Sequence, residues 1–313
     1  MAFPYRKGDQ HAETGNILIG SMGHRSGFVN ILGNPNVGKS TVMNALVGER
    51  LSIISPKAQT TRHRIMGIVN GDDFQIVYSD TPGILTPRYK LQETMMHSVN
   101  TALSDADTIL YVTDVTGNGE DQKEYHERIR SSGIPVIVAL NKIDLTNQND
   151  LEKKVDHWNH AFPGSPVIPV SAIERFNLDT LLNAILEKLP EGPPYFPKDQ
   201  LTDRIERFFA SEIIREKILL NYKKEIPYSV EIEIESFAEE PDINRIRALI
   251  HVERDSQKGI IIGHKGLMLK KTGTEARKDM EDFFHKKVFL ELYVKVTKDW
   301  RDKPGVLKRF GYR

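Results

Sequence analysis

The chain contains no cysteine. That excludes disulfides and thiolate metal sites outright, and it fits a reducing, cytoplasmic setting where structural disulfides are rare. Long apolar runs are missing too: no stretch approaches the roughly 20 residues that a membrane-spanning helix needs. The opening residues MAFPYRKGDQHAETGN have no apolar centre of the kind a signal peptide carries, so residues 1–25 read as a loose N-terminal extension. Tryptophan is scarce, and the two present, Trp158 and Trp300, read as packing residues rather than base-stacking platforms.

What is present points to a soluble globular chain. Its 313 residues suffice for two domains of ordinary size. Apolar residues make up 39% and charged residues 27%, which is not a disordered composition. The formal net charge of zero hides an asymmetry. Residues 258–313 carry 15 Lys and Arg against 7 Asp and Glu, leaving an equal negative excess on the rest of the chain. A basic terminal segment suits an acidic partner, nucleic acid first among them.

The first 190 residues alternate two patterns. Apolar, β-branched runs occur at Phe28–Gly33, Phe74–Asp80, Thr108–Val115, Pro135–Asn141 and Pro166–Ser171. Helix-period segments such as STVMNALVG, DQKEYHERIRSS and NLDTLLNAILEKL lie between them. Near-continuous apolar strands alternating with amphipathic helices predict an α/β domain over 26–189, with a mostly parallel sheet covered by helices on both faces. The proline-rich stretch LPEGPPYFPKDQ then breaks the pattern and predicts a semi-rigid linker at 190–201. Beyond it, residues 202–313 read as helix, two alternating strands, a glycine turn, helix and strand: a smaller α+β domain.

In the first domain, GNPNVGKS matches G-x-x-x-x-G-K-S between a strand and a helix, the context a phosphate-binding loop requires. The candidates are Gly33, Asn34, Pro35, Asn36, Val37, Gly38, Lys39, Ser40 and Thr41. The glycines let backbone N–H groups turn inward toward phosphate oxygens, and the following helix adds its positive N-terminal end. Lys39 would reach the β- and γ-phosphates, and the Ser40 hydroxyl would coordinate Mg²⁺.

Three further segments come in the order a GTPase needs. DTPG supplies Asp80, Thr81, Pro82 and Gly83, with Asp80 at a strand's C-terminal end where it can hold the metal through water, and Gly83 N–H able to sense the γ-phosphate. NKID supplies Asn141, Lys142 and Asp144. The Asp144 carboxylate can accept hydrogen bonds from the ring N–H and exocyclic amine of guanine; adenine presents an acceptor there and would leave a buried carboxylate unpaired. Lys142 can lay its stem on the base while Asn141 braces the loops. SAI supplies Ser171, Ala172 and Ile173, with a backbone N–H for the guanine oxygen. One such tetrapeptide is an ordinary loop; four in order are a GTP site.

The polar segment 55–64, with Gln59, Thr60, Thr61, Arg62 and His63, reads as a mobile switch I loop. A threonine there can close on Mg²⁺ and the γ-phosphate when GTP is bound. Thr61 is the candidate, with Ser40 and Asp80 as its partners at the metal; Thr60 stays open, because spacing does not separate them.

These segments, with DRIERFFASEIIREK, EIPYSV and IIIGHKG before TEARKDM, resemble the Era-type GTPases of the translation-factor-related class along nearly the whole chain beyond residue 25. The resemblance implies a P-loop GTPase domain followed by a type II KH domain. It implies GTP and GDP with Mg²⁺ as ligands, and a monomer that binds the 3′ end of small-subunit ribosomal RNA and assists assembly of the small ribosomal subunit. Related GTPases also bind potassium through the asparagine two residues before the second P-loop glycine, here Asn36. The family's reported membrane contact implies a peripheral place at the inner membrane surface, although no strong amphipathic basic helix argues for it. Where Ras-like GTPases carry a water-orienting glutamine after D-x-x-G, this chain has Ile84, which can neither donate nor accept. No arginine finger is identifiable either, so slow intrinsic hydrolysis is expected.

In the KH reading, the G-x-x-G turn clamps the backbone of about four unpaired nucleotides. Gly263 and Gly266 allow close approach, Lys265 meets a phosphate, and His264 is a bland exposed residue. Ile260, Ile261 and Ile262 would form an apolar floor beside the bases, and Lys270 and Lys271 would extend the positive surface. A second function class stays open: a GTPase acting mainly through protein or membrane-surface partners, with the KH-like domain as a docking module.

Overall fold

A computed structural model describes residues 23–117 and 123–312; the expected N-terminal extension, up to residue 22, lies outside the described residues. The first domain is a six-stranded sheet in the order β2-β3-β1-β4-β5-β6. Its strands are β1 (Arg25–Leu32), β2 (Ile65–Asn70), β3 (Phe74–Asp80), β4 (Thr108–Asp114), β5 (Val136–Asn141) and β6 (Val167–Pro169). All neighbours are parallel except β2, which runs antiparallel to β3. Strands β4 and β5 are buried at every position because helices cover both faces. On one face α1 (Lys39–Val47) and α5 (Leu178–Lys188) pack Val42, Met43, Leu181 and Ile185 onto Val29 and Ile31. On the other, α2 (Lys90–Ser104), α3 (Lys123–Ser131) and α4 (Gln148–Ala161) bring Val99, Leu103, Ile129 and Trp158 against Ile109 and Tyr111.

Strand β2 is not among the runs the sequence marks out, and it has the mixed pattern of an edge strand. Residues 190–201 are laid along the sheet by hydrogen bonds. Ser26 N–H and Oγ donate to the Pro190 and Pro193 carbonyls at 3.1 and 2.6 Å. Gln75 Oε1 accepts from the N–H groups of Tyr195 and Phe196 at 2.7 and 2.9 Å. The Ile68 N–H donates to the Leu201 carbonyl at 2.8 Å, so the stretch also satisfies part of the β2 edge.

The second domain opens with α6 (Glu206–Asn221). Its sheet has β7 (Glu231–Glu239) and β8 (Ile243–Val252) antiparallel, and β9 (Lys287–Val296) parallel to β8. Between β8 and β9 lie α7 (Asp255–Ile262), a 3-10 turn at His264–Gly266 and α8 (Leu267–Phe284). The helices bury Ile214, Ile218, Ala276 and Met280 against Ile246 and Ile250 of the sheet. A short α9 (Pro304–Arg309) closes the chain and, with the buried Trp300 and Tyr312, packs onto Leu91 and Met95 of α2. Both tryptophans are core residues, as expected. Among the described residues, no helix is long and apolar enough to cross a membrane.

Candidate nucleotide site and nucleic-acid interface

The cleft forms at the C-terminal ends of β1 and β4, where the strand order reverses direction, the place where open α/β sheets bind ligands. Gly33–Lys39 turns there from β1 into α1. Gly38 has φ 97°, and a Cβ on it would stand 2.3 Å from Asn141 Nδ2, so only glycine lets the loop pass this close. Lys39 Nζ donates to the Gly33 and Asn34 carbonyls at 3.1 and 2.9 Å. Burial lowers its pKa to about 8, against the opposing pull of Asp80.

Three oxygen donors converge beside it. Ser40 Oγ donates to Asp80 Oδ2 at 2.7 Å, while Thr61 Oγ1 lies 2.9 Å from Ser40 Oγ and 3.1 Å from Asp80 Oδ2. Asp80 is fully buried at the end of β3, and burial raises its carboxyl pKa above the ordinary value. Its Oδ1 is buried with no hydrogen-bond partner. A buried carboxylate with a spare oxygen, flanked by two hydroxyls, is a hard-cation donor set and fits Mg²⁺. Thr60 is turned into its own loop instead, donating to the Lys57 carbonyl at 2.6 Å and lying 2.7 Å from Ser55 Oγ. The structure therefore separates the two threonines that spacing left together.

The opposite end of the cleft is braced as a unit. Asn141 Nδ2 donates to the Val37 carbonyl at 3.0 Å, and its Oδ1 accepts from Ala172 N–H at 3.1 Å, so one side chain ties the phosphate loop to the Ser171–Ile173 loop. Ser171 Oγ donates to Asp144 Oδ1 at 2.6 Å, which orients the carboxylate. Lys142 Nζ donates to the Asn36 carbonyl and to Asp114 Oδ2, both at 2.6 Å. Burial would raise the Asp114 carboxyl, but the Lys142 ammonium and the Thr116 hydroxyl outweigh it and hold it below the usual carboxylate range. Pro35, Asn36, Thr41, Gly83 and Ile173 also line the cleft, whose volume is about 360 Å³.

Some expected residues do structural service. Thr81 Oγ1 donates to the Ile31 carbonyl at 2.7 Å inside the core, and Pro82 and Val37 are also buried. Ile84 is buried, and its N–H donates to the Gly33 carbonyl at 3.2 Å, so it packs rather than touching water in the cleft. In the 55–64 loop only Thr61 turns to the metal donors. Gln59 Oε1 accepts from Tyr89 OH at 2.9 Å. Arg62, 1% exposed, donates to the Val230 and Pro227 carbonyls at 2.6 and 3.1 Å in the second domain, and His63 stacks on Tyr312 with ring centroids 4.3 Å apart. Asp114 was missed as a site residue although it ends a buried strand in register with Asn141. Pro56 and Lys57 of the 55–64 loop also line the cleft, as do Ile53 and Ile54, which no motif marks.

In the second domain, α7 ends on Gly263 with φ 70° and ψ −179°, a conformation essentially restricted to glycine. A Cβ there would stand 2.7 Å from Met268 Cβ. Lys265 and Gly266 also have positive φ, and the turn presents His264 and Lys265 to solvent before α8 begins. The apolar floor needs correction. Ile261 is 0% exposed in the domain core and cannot meet a base, Ile262 is half-buried, and Ile260 is 49% exposed. Helical geometry is the reason: these residues lie on α7, so successive side chains point about 100° apart instead of sharing a face. Leu267, 61% exposed, supplies the apolar surface on the other side of the turn. Lys270 and Lys271 are exposed on the first turns of α8.

Comparison with known proteins agrees with both halves. The family model described as "50S ribosome-binding GTPase" matches residues 28–142, and the KH domain model matches residues 225–301. GTPase Era of Halothermothrix orenii is 44% identical over 296 residues, covering 93% of this chain and all of that protein. GTPase Era of Syntrophus aciditrophicus is 46% identical over 292 residues, 92% of this chain and 95% of that one. A crystal structure of Era in complex with MgGDPNP and nucleotides 1506–1542 of 16S ribosomal RNA matches with a TM-score of 0.88 at 40% identity, covering 92% of this chain and 99% of that one. Similarity at 40–46% identity thus runs over more than nine-tenths of this chain and at least 95% of each of these relatives, and the chain belongs to the GTPase Era family.

Proposed function

We propose that this GTPase is a nucleotide-controlled RNA-binding factor. It hydrolyses GTP to GDP and phosphate, binds the unpaired 3′ end of small-subunit ribosomal RNA through its second domain, and assists assembly of the small subunit. The observation that carries the RNA half is the Gly263–Gly266 turn, whose positive-φ backbone holds Lys265 outward between two helices. The kind of RNA follows from the relative crystallised with 16S nucleotides.

Residue roles follow from the cleft. Backbone N–H groups of Gly33–Ser40 hold the phosphates, and Lys39 gives up its carbonyl contacts to donate to them. Asp144 accepts from the guanine ring and amine, the Ser171–Ile173 loop faces the guanine oxygen, and Lys142 covers the base. Ser40, Thr61 and Asp80 hold Mg²⁺, which when bound neutralises charge building on the β- and γ-phosphates. Asn36 is exposed at the mouth, where its amide oxygen can also meet a potassium ion. With Ile84 in the core and no arginine among the described cleft-lining residues, intrinsic hydrolysis is slow. We place the protein in the cytoplasm, with any membrane contact peripheral.

The test is fluorescence anisotropy with a short single-stranded RNA copying the small-subunit 3′ end, beside a scrambled copy, in GDP and in a non-hydrolysable GTP analogue. Tighter binding of the true sequence with the analogue, falling steeply as salt rises, is expected, because each phosphate contact releases counterions. Equal, weak and salt-insensitive binding of both RNAs in both states would sink this reading and favour a protein partner.

A further inference from the structure

The loop carrying Thr61 is gripped at several points by the second domain. Helix α6 presents Glu212, Arg215, Glu216 and Leu219 on one face, spaced three and four residues apart. Each meets the 54–62 segment or supports a residue that does. Ile54 N–H donates to Glu216 Oε1 at 3.0 Å. Lys57 Nζ donates to the Leu219 and Tyr222 carbonyls at the C-terminal end of α6, where a cation is favoured. Arg215 Nη2 donates to the Thr60 carbonyl at 2.5 Å, and Glu212 Oε1 accepts from Arg215 Nε at 2.8 Å and fixes the guanidinium plane.

The direction of these contacts alternates along the loop. The Thr60 carbonyl and the Arg62 side chain meet the second domain, and the Thr61 side chain between them turns to Ser40 and Asp80. Gripping the residues on either side leaves the middle side chain one direction in which to point. Arg215 is 1% exposed and Glu212 4%, so the grip is desolvated and keeps its strength at ordinary salt.

We propose that α6 is a built-in template for this loop and that Arg215, through the Thr60 carbonyl, is a positioning residue for GTP binding and hydrolysis. The second domain then contributes in cis an ordering of the Thr61 loop that a γ-phosphate and its metal would otherwise have to impose alone. Arg215 touches neither nucleotide nor metal, and it acts by pre-organising Thr61. This rests on the assignment of Ser40, Thr61 and Asp80 as the Mg²⁺ ligands.

The experiment is amide hydrogen exchange on the nucleotide-free full chain, paired with titrations of fluorescent GDP and a fluorescent non-hydrolysable GTP analogue in Mg²⁺. The test variant carries Glu212→Leu with Arg215→Met, which replaces a buried ion pair by apolar residues of similar volume and leaves no stranded charge. Lys57→Ala, at the accessible end of the same template, covers the case in which the double variant does not fold, which circular dichroism and thermal melting would reveal. Faster exchange across residues 57–62, with affinity for the GTP analogue down about tenfold while GDP affinity holds, is the expected result, since only the triphosphate uses the closed loop. Unchanged exchange overturns the proposal, as does an equal loss for both nucleotides. Wild-type protein that binds neither nucleotide overturns the nucleotide site itself, and the proposal with it.

Discussion

Lys142 Nζ lies 2.6 Å from Asp114 Oδ2 and 2.6 Å from the Asn36 carbonyl, so one ammonium ties the end of β4 to the phosphate loop across the position a base would take. The aspartate fixes where that lysine points. Asp114→Asn keeps the shape and removes the charge, and hydrogen bonds to charged groups contribute about 1.5–3 kcal/mol. GDP affinity is expected to fall about tenfold, as read by titration of a fluorescent nucleotide, with thermal stability little changed. Unaltered affinity would make Asp114 a bystander.

The two neighbouring threonines should behave differently. Thr61→Ala removes a donor from the Asp80 cluster and should slow single-turnover GTP hydrolysis by about tenfold or more, as loss of a preorganised ligand does. Thr60→Ala leaves the carbonyl that Arg215 grips and should cost about threefold at most. The reverse order would mean that the loop rearranges on binding GTP.

The Gly263–Gly266 turn can be probed at its more tolerant glycine. A Cβ at Gly266 meets nothing within 4 Å, and its φ of 78° is a left-handed conformation that aspartate tolerates better than most residues. Gly266→Asp should lower stability by about 1 kcal/mol while placing a negative charge where an RNA phosphate would lie. RNA affinity is expected to drop about tenfold or more with basal GTP hydrolysis intact. Retained RNA affinity would move the RNA site elsewhere on the domain.

His126 gives a pH signature. Its Nε2 is 2.7 Å from Tyr111 OH amid Trp158 and Phe162. Burial, and then the charge of Arg130 and the nearby His157, push its pKa down to about 4. Above the ordinary histidine value both folded and unfolded chains carry it neutral. Below that value the unfolded chain takes up the proton first, so stability falls as the pH drops toward 4. The urea midpoint should therefore decrease between pH 7 and pH 5 more in wild type than in His126→Phe. An equal decrease in both would place the acid sensitivity on other groups.

Much of the site is legible before folding because its chemistry is local. Gly38, Lys39 and Ser40 act through a backbone path that four or five consecutive residues define, and Asp80, Asn141 and Asp144 each end a buried strand or the loop after it. The same locality explains the errors. Ile260, Ile261 and Ile262 read as a shared apolar surface until they are seen on α7, where one of them turns into the core. Strand β2 and the docking of residues 190–201 escaped notice because an edge strand lacks a continuous apolar run and a proline-rich stretch does not announce what it lies against.

The amino-acid sequence by itself determined the two domains, the nucleotide whose base and phosphates the motifs suit, and the glycine turn between two helices of the KH domain. Each depends on residues close together in the chain, where spacing alone dictates geometry. Tertiary structure decided which threonine faces Asp80, why Arg62 and His63 leave the nucleotide cleft, and what holds Lys142. Those outcomes rest on contacts such as Thr60 with Arg215 and Arg62 with Val230, between segments more than a hundred residues apart. No local pattern encodes such a pairing. It arises only when burying both surfaces leaves each polar group one partner within reach.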